Sequence, residues 1–134
     1  MKKYIGWRGI VTYVNELCDK IPKDTYEAIY AVPRGGLIIG VLMSHKLGIP
    51  MVGRLQEYYG KKFLIVDDIA DTGKTLEHFR AEVFENASVA TIHYHKHSSV
   101  VPDYWVKEKK DDWIVYPWEL YESEEIQDYL KETK

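Results

Sequence analysis

Hydrophobic and polar positions change period several times along the chain, and those changes divide it into elements. From Trp7 to Asp19, Ile10, Val11, Val14, Leu17 and Cys18 recur three and four apart, the spacing of one helix face. Ile21-Pro22-Lys23-Asp24 breaks that helix. Glu27 to Val32 predicts a first core strand, which ends at Pro33-Arg34-Gly35-Gly36. Leu37 to Leu47 is apolar almost all round and predicts a buried helix, stopped by Gly48 and followed by Pro50. Met51 to Leu55 predicts a strand, and Glu57 to Lys62 a hairpin turn. Phe63–Val66 is a buried strand, and a helix runs from about Gly73 to Phe84 with Leu76, Phe79, Val83 and Phe84 inward. Ser88 to Tyr94 is a β-branched strand. Tyr104–Lys107 and Trp113–Tyr116 are short strand-like pieces around the charged turn Glu108–Asp112. Ser123 to Lys131 predicts a surface helix, its acids early and its lysine late. Strands alternating with helices predict an α/β chain whose parallel sheet is covered on both faces.

Composition narrows the setting. A chain of 134 residues suffices for one domain with a real core. Net charge is −3 with both signs mixed, so there is no basic footprint for nucleic acid. The apolar runs are too short to span a bilayer, and MKKYIGWRG lacks a signal-peptide core. The lone Cys18 cannot form an internal disulfide and reads as a small buried hydrophobe. A cytoplasmic protein with neither nucleic-acid nor membrane partners is expected.

The chemistry concentrates in Phe63–Leu76, FLIVDDIADTGKTL. Four apolar residues end in Asp67 and Asp68, Asp71 follows, and Thr72-Gly73-Lys74-Thr75 opens a helix. Loop amides and a helix N-terminus favour a phosphate, and small residues let it approach the backbone. Asp67 and Asp68 suit hydroxyls or a hard cation rather than the phosphate itself. Phosphate at one end and hydroxyls at the other describe a ribose 5-phosphate cradle. Gly73-Lys74-Thr75 also spells the end of a Walker A loop, but Asp68 stands where that loop needs its first glycine.

This run resembles the 5-phosphoribosyl 1-pyrophosphate (PRPP) motif of type I phosphoribosyltransferases: apolar residues, two acids, two variable residues, then Asp/Ala-Thr-Gly-x-Thr. The resemblance implies that family's α/β fold, a central parallel sheet flanked by helices with a small C-terminal hood. Residues 1–134 would form a single domain, with the core at about 1–96 and the hood at about 97–134. It implies PRPP contacts from Asp67, Asp68, Ala70, Asp71, Thr72, Gly73, Lys74 and Thr75. Asp67 and Asp68 would hold the ribose hydroxyls directly or through Mg²⁺ and water. Arg34 and Gly35 correspond to the pyrophosphate loop, whose peptide is sometimes cis in the family. In the 6-oxopurine branch an acid at the position of Asp71 faces purine N7, where it can take or share a proton. The alternative for Asp71 is a turn-closing side chain.

Lys96, just past the strand Ser88–Tyr94, matches the lysine that donates to purine O6 in that branch. A lysine donates but does not accept, so it favours a 6-oxo over a 6-amino group. His93, His95 and His97 alternate beside it; packed or exposed histidines are the plain expectation, a metal site the alternative. The tail Asp112-Trp113-Ile114-Val115-Tyr116-Pro117-Trp118-Glu119 is similar to the hood of xanthine-guanine phosphoribosyltransferases. There an aromatic at the position of Trp113 stacks on the base, and backbone near Trp113 and Ile114 meets its 2-substituent. Trp118 reads as hood core.

The resemblance therefore implies transfer of a 5-phosphoribosyl group from PRPP to N9 of guanine, xanthine or hypoxanthine, with Mg²⁺. The products would be a nucleoside monophosphate and pyrophosphate, and a homo-oligomer, dimer or tetramer, is expected. One departure matters. The family usually carries a long loop between its second and third core strands that closes over PRPP, whereas here only Met51 to Lys62 separates Pro50 from Phe63. Tyr58, Tyr59, Lys61 and Lys62 are the residues there that could partly substitute. Transfer to another base, or a non-catalytic PRPP- or nucleotide-binding regulator on the same fold, are the alternatives.

Overall fold

A computed structural model describes residues 1–54, 62–81 and 87–119. The elements run β1 (Lys2–Tyr4), α1 (Trp7–Asp19), β2 (Ala28–Ala31), α2 (Gly35–Leu47), β3 (Met51–Val52), β4 (Phe63–Ala70), α3 (Lys74–Arg80), β5 (Ala87–His95), β6 (Lys107–Lys109) and β7 (Trp113–Val115). The main sheet has five strands in the order β3-β2-β4-β5-β6, all parallel. β1 and β7 form a separate parallel pair that ties the first residues of the chain to its tail.

Alternation in β4 explains the layers. Leu64 and Val66 join Ile10, Val14, Leu17, Ile39 and Met43 in a core under α1 and α2. Phe63 and Ile65 point the other way, into a second core with Leu76 of α3, Val89 and Val100. A strand buried on both faces must read as an unbroken apolar run, and this one does. α2 starts at the Pro33-Arg34-Gly35-Gly36 loop and stops at Gly48, whose φ of 69° is the left-handed C-terminal conformation that glycine adopts without penalty.

The structure departs from the sequence expectations at several points. β4 does not stop at Val66; pairing of Asp67 with Thr91, Ile69 with His93 and Ala70 with Tyr94 carries it to Ala70, so both acids lie in the strand rather than after it. α2 is not buried all round. Leu37 and Val41 are exposed because sheet and α1 cover only part of its circumference, and Val11 of α1 is likewise exposed. The strand expected over Tyr104–Lys107 is observed at Lys107–Lys109, running from its last residue into the segment expected to turn, while Tyr104 makes only an isolated bridge to Ala90. β1 was not anticipated. The expected hairpin over most of Glu57–Lys62, the end of the α3 pattern at Val83 and Phe84, and the helix Ser123–Lys131 lie outside the described residues.

Candidate functional site

The chain leaves β2 toward β3 on one side, and β4 sits on the other, so the strand order reverses between β2 and β4. In open α/β sheets ligands bind at such a reversal, beyond the carboxyl ends of the strands. Two loops meet there: Val32 to Gly36 after β2, and Asp71 to Gly73 after β4.

The first loop contains a cis peptide between Pro33 and Arg34. Its glycines are required by the approach of β4. A Cβ on Gly35 would collide with the Asp68 carboxylate, whose Cγ would lie 2.6 Å away. A Cβ on Gly36 would strike the Val66 carbonyl and sit 3.1 Å from the Asp67 Cα. The arginine-glycine loop and the paired acids, separated by more than thirty residues, thus form one contact surface. Arg34 stands exposed at its rim.

Asp67 is buried, and its Oδ1 accepts from the Asp68 amide at 2.8 Å. Asp68 is half-buried. Burial pushes its carboxyl up to about 6; repulsion from Glu119 adds to this, against hydrogen bonding from Asp67 that pulls the other way. Such a carboxyl is short of positive charge. Two adjacent acids of this kind, completed by ligand phosphates, fit Mg²⁺, which is commonly held by one or two carboxylates plus substrate oxygens. Among the described residues no group of three potential metal ligands occurs: His93 is buried with its Nδ1 on the Tyr116 hydroxyl, while His95 and His97, the latter in the turn, are in tilted ring contact.

The second loop turns at Gly73, whose φ is 89° and whose Cβ position is filled by Ser98 and Ser99; the Ser99 amide would lie 2.7 Å away. Ser99 donates its amide to the Thr72 carbonyl at 2.9 Å and its hydroxyl to the same oxygen at 3.2 Å. The Thr72 hydroxyl accepts from the Lys74 amide at 3.3 Å. The residue preceding α3 is Gly73, so Thr72 is not its N-cap, though its hydroxyl engages the first turn. Lys74 is exposed and Thr75 half-buried. Asp71 does not close the turn onto the backbone: its Oδ2 receives Lys109 Nζ at 2.6 Å.

Behind the acids lies a buried polar column. The Tyr116 hydroxyl sits 2.8 Å from His93 Nδ1 and 3.4 Å from the Asp68 carbonyl, and Glu119 accepts from the Tyr116 amide at 2.8 Å. Burial drives His93 down to about 4, with Lys107, Lys109 and Lys3 adding repulsion. Burial, then the carboxylates of Asp68, Asp67, Glu119 and Asp71, push Tyr116 well above its ordinary value. Trp118 stacks on Tyr116 with ring centres 4.9 Å apart, the hood-core position expected of it.

Lys96 lies exposed in the turn after β5. Trp113 opens β7, paired with Lys2, and is 46% exposed, while Ile114 behind it is buried. Among the described residues neither Lys96 nor Trp113 is hydrogen-bonded or ion-paired to the three acids. Lys109, Ser99, Tyr116 and Glu119 surround the acids and the Asp71–Gly73 loop, and no motif in the sequence marks Lys109 or Ser99. Ser99 could have been sought from its place three residues after Lys96. Lys109 sits in a run of mixed charge that carries no distinguishing signal.

The strand reversal and the two loops that meet at it are the setting in which open α/β sheets take their ligands. Residues 53–125 match the phosphoribosyl transferase domain family. The chain is 30% identical over 139 residues to a xanthine-guanine phosphoribosyltransferase of Vibrio vulnificus (strain YJ016), covering 89% of this chain and 90% of that protein. It superposes on a purine phosphoribosyltransferase from Pyrococcus horikoshii Ot3 with a TM-score of 0.83 at 33% identity, over 93% of this chain and 98% of the other. A Neisseria gonorrhoeae protein solved with bound ppGpp, 23% identical, shares the fold with a TM-score of 0.78 over 91% of each chain. The chain belongs to the phosphoribosyltransferase family and has its type I fold. Among the described residues no helix is long and apolar enough to cross a membrane.

Proposed function

We propose that this enzyme transfers the 5-phosphoribosyl group of PRPP to N9 of a 6-oxopurine, releasing pyrophosphate. The observation that carries the reading is the packing of the Asp68 carboxylate against Gly35, which joins the acid pair to the Arg34 loop at the sheet's reversal point. The Asp71–Thr75 loop binds the 5-phosphate through its amides and the Thr72 and Thr75 hydroxyls, braced by Ser99. Asp67 and Asp68 hold the ribose hydroxyls, and with the substrate phosphates they hold Mg²⁺. When bound, Mg²⁺ neutralises charge on the departing pyrophosphate. Arg34 supplies a bidentate fork to the same group.

At the base end, Trp113 stacks on the purine, backbone at Ile114 meets its 2-substituent, and Lys96 donates to O6. The relatives named for xanthine, guanine and purine support this branch. As the N9–C1 bond forms and the C1–O bond to pyrophosphate breaks, the proton on N7 passes to Asp71. Holding base and sugar in line supplies much of the acceleration. The test is pyrophosphate release with PRPP, Mg²⁺ and guanine, xanthine, hypoxanthine or adenine in turn. Release with at least one 6-oxopurine and little with adenine is expected; preference for adenine, or release with none while nucleoside monophosphates still bind, refutes the reading.

A further inference from the structure

We propose that Lys109 is a positioning residue for the base end of the site: it holds the Asp71 carboxylate by Oδ2 and leaves Oδ1 to face the purine N7 edge. The inference rests on the role given to Asp71 above.

Three observations carry it. Lys109 Nζ lies 2.6 Å from Asp71 Oδ2, a short charge-assisted bond. The Lys109 side chain is only 16% exposed, against 31% for Asp71, so the ammonium is turned inward. Lys107, two residues earlier on the same strand face, is exposed, as a lysine on an edge strand ordinarily is. Finally, β6 sets Lys109 opposite His95, the residue before Lys96, at the carboxyl end of the sheet where the Asp71 loop emerges. The strand thus brings a cation to the acid from the side that carries Lys96, the lysine proposed above to read the base.

The consequence follows from the freedom of a carboxyl group. The final torsion of aspartate is broad, so an untethered carboxylate offers either oxygen over a wide arc. One strong bond to Oδ2 fixes the plane. Among the described residues Oδ1 has no hydrogen-bond or ion-pair partner, which makes it the oxygen available to the ligand. In the transfer step the N7 proton passes to Oδ1, the leaving pyrophosphate takes the C1–O electron pair, and Lys109 keeps its own protons. Lys109 acts through Asp71 and touches no substrate in this role.

The experiment is a double-mutant cycle with PRPP, Mg²⁺ and the best 6-oxopurine, using wild type, Lys109→Met, Asp71→Asn and the double variant, with Lys109→Arg as the conservative control. Thermal melting and the KM for PRPP are measured for each. Lys109→Met is expected to lower kcat by ~10–100-fold, the cost of a small misplacement, with KM for PRPP within about twofold. Lys109→Arg recovers most of the loss, and in the Asp71→Asn background Lys109→Met changes kcat by less than about threefold. Wild-type kcat in Lys109→Met, or an equal loss in both backgrounds, overturns the proposal. If Lys109→Met melts early, Lys109→Gln takes its place in the cycle under the same criteria. Near-normal turnover of Asp71→Asn instead overturns the reading of Asp71, and the positioning role falls with it; collapse of Asp71→Asn beside an intact Lys109→Met overturns the positioning role alone.

Discussion

Replacing Asp68 with Asn should make the protein more stable and a poorer binder of PRPP. The carboxyl is half-buried within β4, just past its apolar run, beside Gly35 and within the field of Glu119, and its pKa is raised from 3.8 to about 6. Because the folded-state value lies above the unfolded one, the folded protein holds the extra proton between about pH 4 and about pH 6. Above that window the ionised group opposes folding; below about pH 4 the penalty is gone. A rise of this size corresponds to roughly 3 kcal/mol. Water still reaches one side of the carboxyl and screens part of it, leaving about 1–2 kcal/mol at pH 8. Urea denaturation of wild type and Asp68→Asn at pH 8 and pH 4, with m-values compared, reads this directly. The expected gain at pH 8 should fade at pH 4, while calorimetric PRPP affinity in saturating Mg²⁺ falls at pH 8. A variant destabilised at pH 8, or equally stabilised at both pH values, would refute the electrostatic account; unchanged PRPP affinity would refute the assignment of Asp68 to the sugar.

The other expectations concern separate contacts. Lys96→Ala should reduce kcat/KM for hypoxanthine or guanine by about 1.5–3 kcal/mol, the worth of a charged hydrogen bond, and leave adenine unaffected; an equal loss for adenine rules out recognition of O6. Gly36→Ala should destabilise more than Gly35→Ala, each within about 1–3 kcal/mol, because the first new methyl meets backbone of β4 and the second a side chain that can rotate; denaturation showing the reverse order would contradict the packing. His93→Phe should cost about 0.5–1.5 kcal/mol at pH 8 through the lost Tyr116 bond. Since the folded-state pKa of His93 lies at about 4, below 6.5, wild type loses stability as pH falls through that interval and the variant does not. The difference should narrow or reverse by pH 4, and a pH-independent difference would mean that His93 is not held neutral by burial.

What could be read from the sequence depended on how locally each feature is encoded. α1 follows from helical periodicity, β2 and β5 from short apolar or β-branched runs, and α2 from a long apolar run stopped by Gly48, because each signal lies within the element's own residues. The Asp71–Thr75 loop was legible because acids, glycine and threonines are contiguous. β1 was not legible: Lys2, Lys3 and Tyr4 are all exposed, with no alternation, and they become a strand only by pairing with residues 113–115 at the far end of the chain. Lys109 was hidden for the same reason. In Lys107-Glu108-Lys109-Lys110 nothing distinguishes one lysine from its neighbours; the register of β6 on β5 selects it. The expected end of β4 at Val66 was too early because acids discourage a strand only where they must be buried without partners, and here the longer β5 supplies the backbone bonds.

The places where this chain breaks local rules lie together, and that is the strongest physical argument for where its function resides. A strand core would be better served by apolar residues than by Asp67 and Asp68. Gly35 and Gly36 begin a helix that alanine would favour, yet β4 leaves no room for a methyl at either. Gly73 holds a left-handed turn against two serines where no side chain could fit. Each feature alone costs stability. All three occur at the carboxyl ends of β2 and β4, where the strand order reverses, whereas the opposite ends of those strands are built of Ala28 and Phe63 in ordinary packing. Misfit confined to one edge of a well-made sheet is what a binding site requires: donors, acids and bare backbone left facing a ligand that satisfies them. The same logic predicts that PRPP with Mg²⁺ should raise the melting temperature of wild type more than that of Asp68→Asn, because the variant has already lost the unfavourable charge that the ligand relieves. A ligand-induced shift as large in the variant as in wild type would show that the acid is not part of what the ligand satisfies.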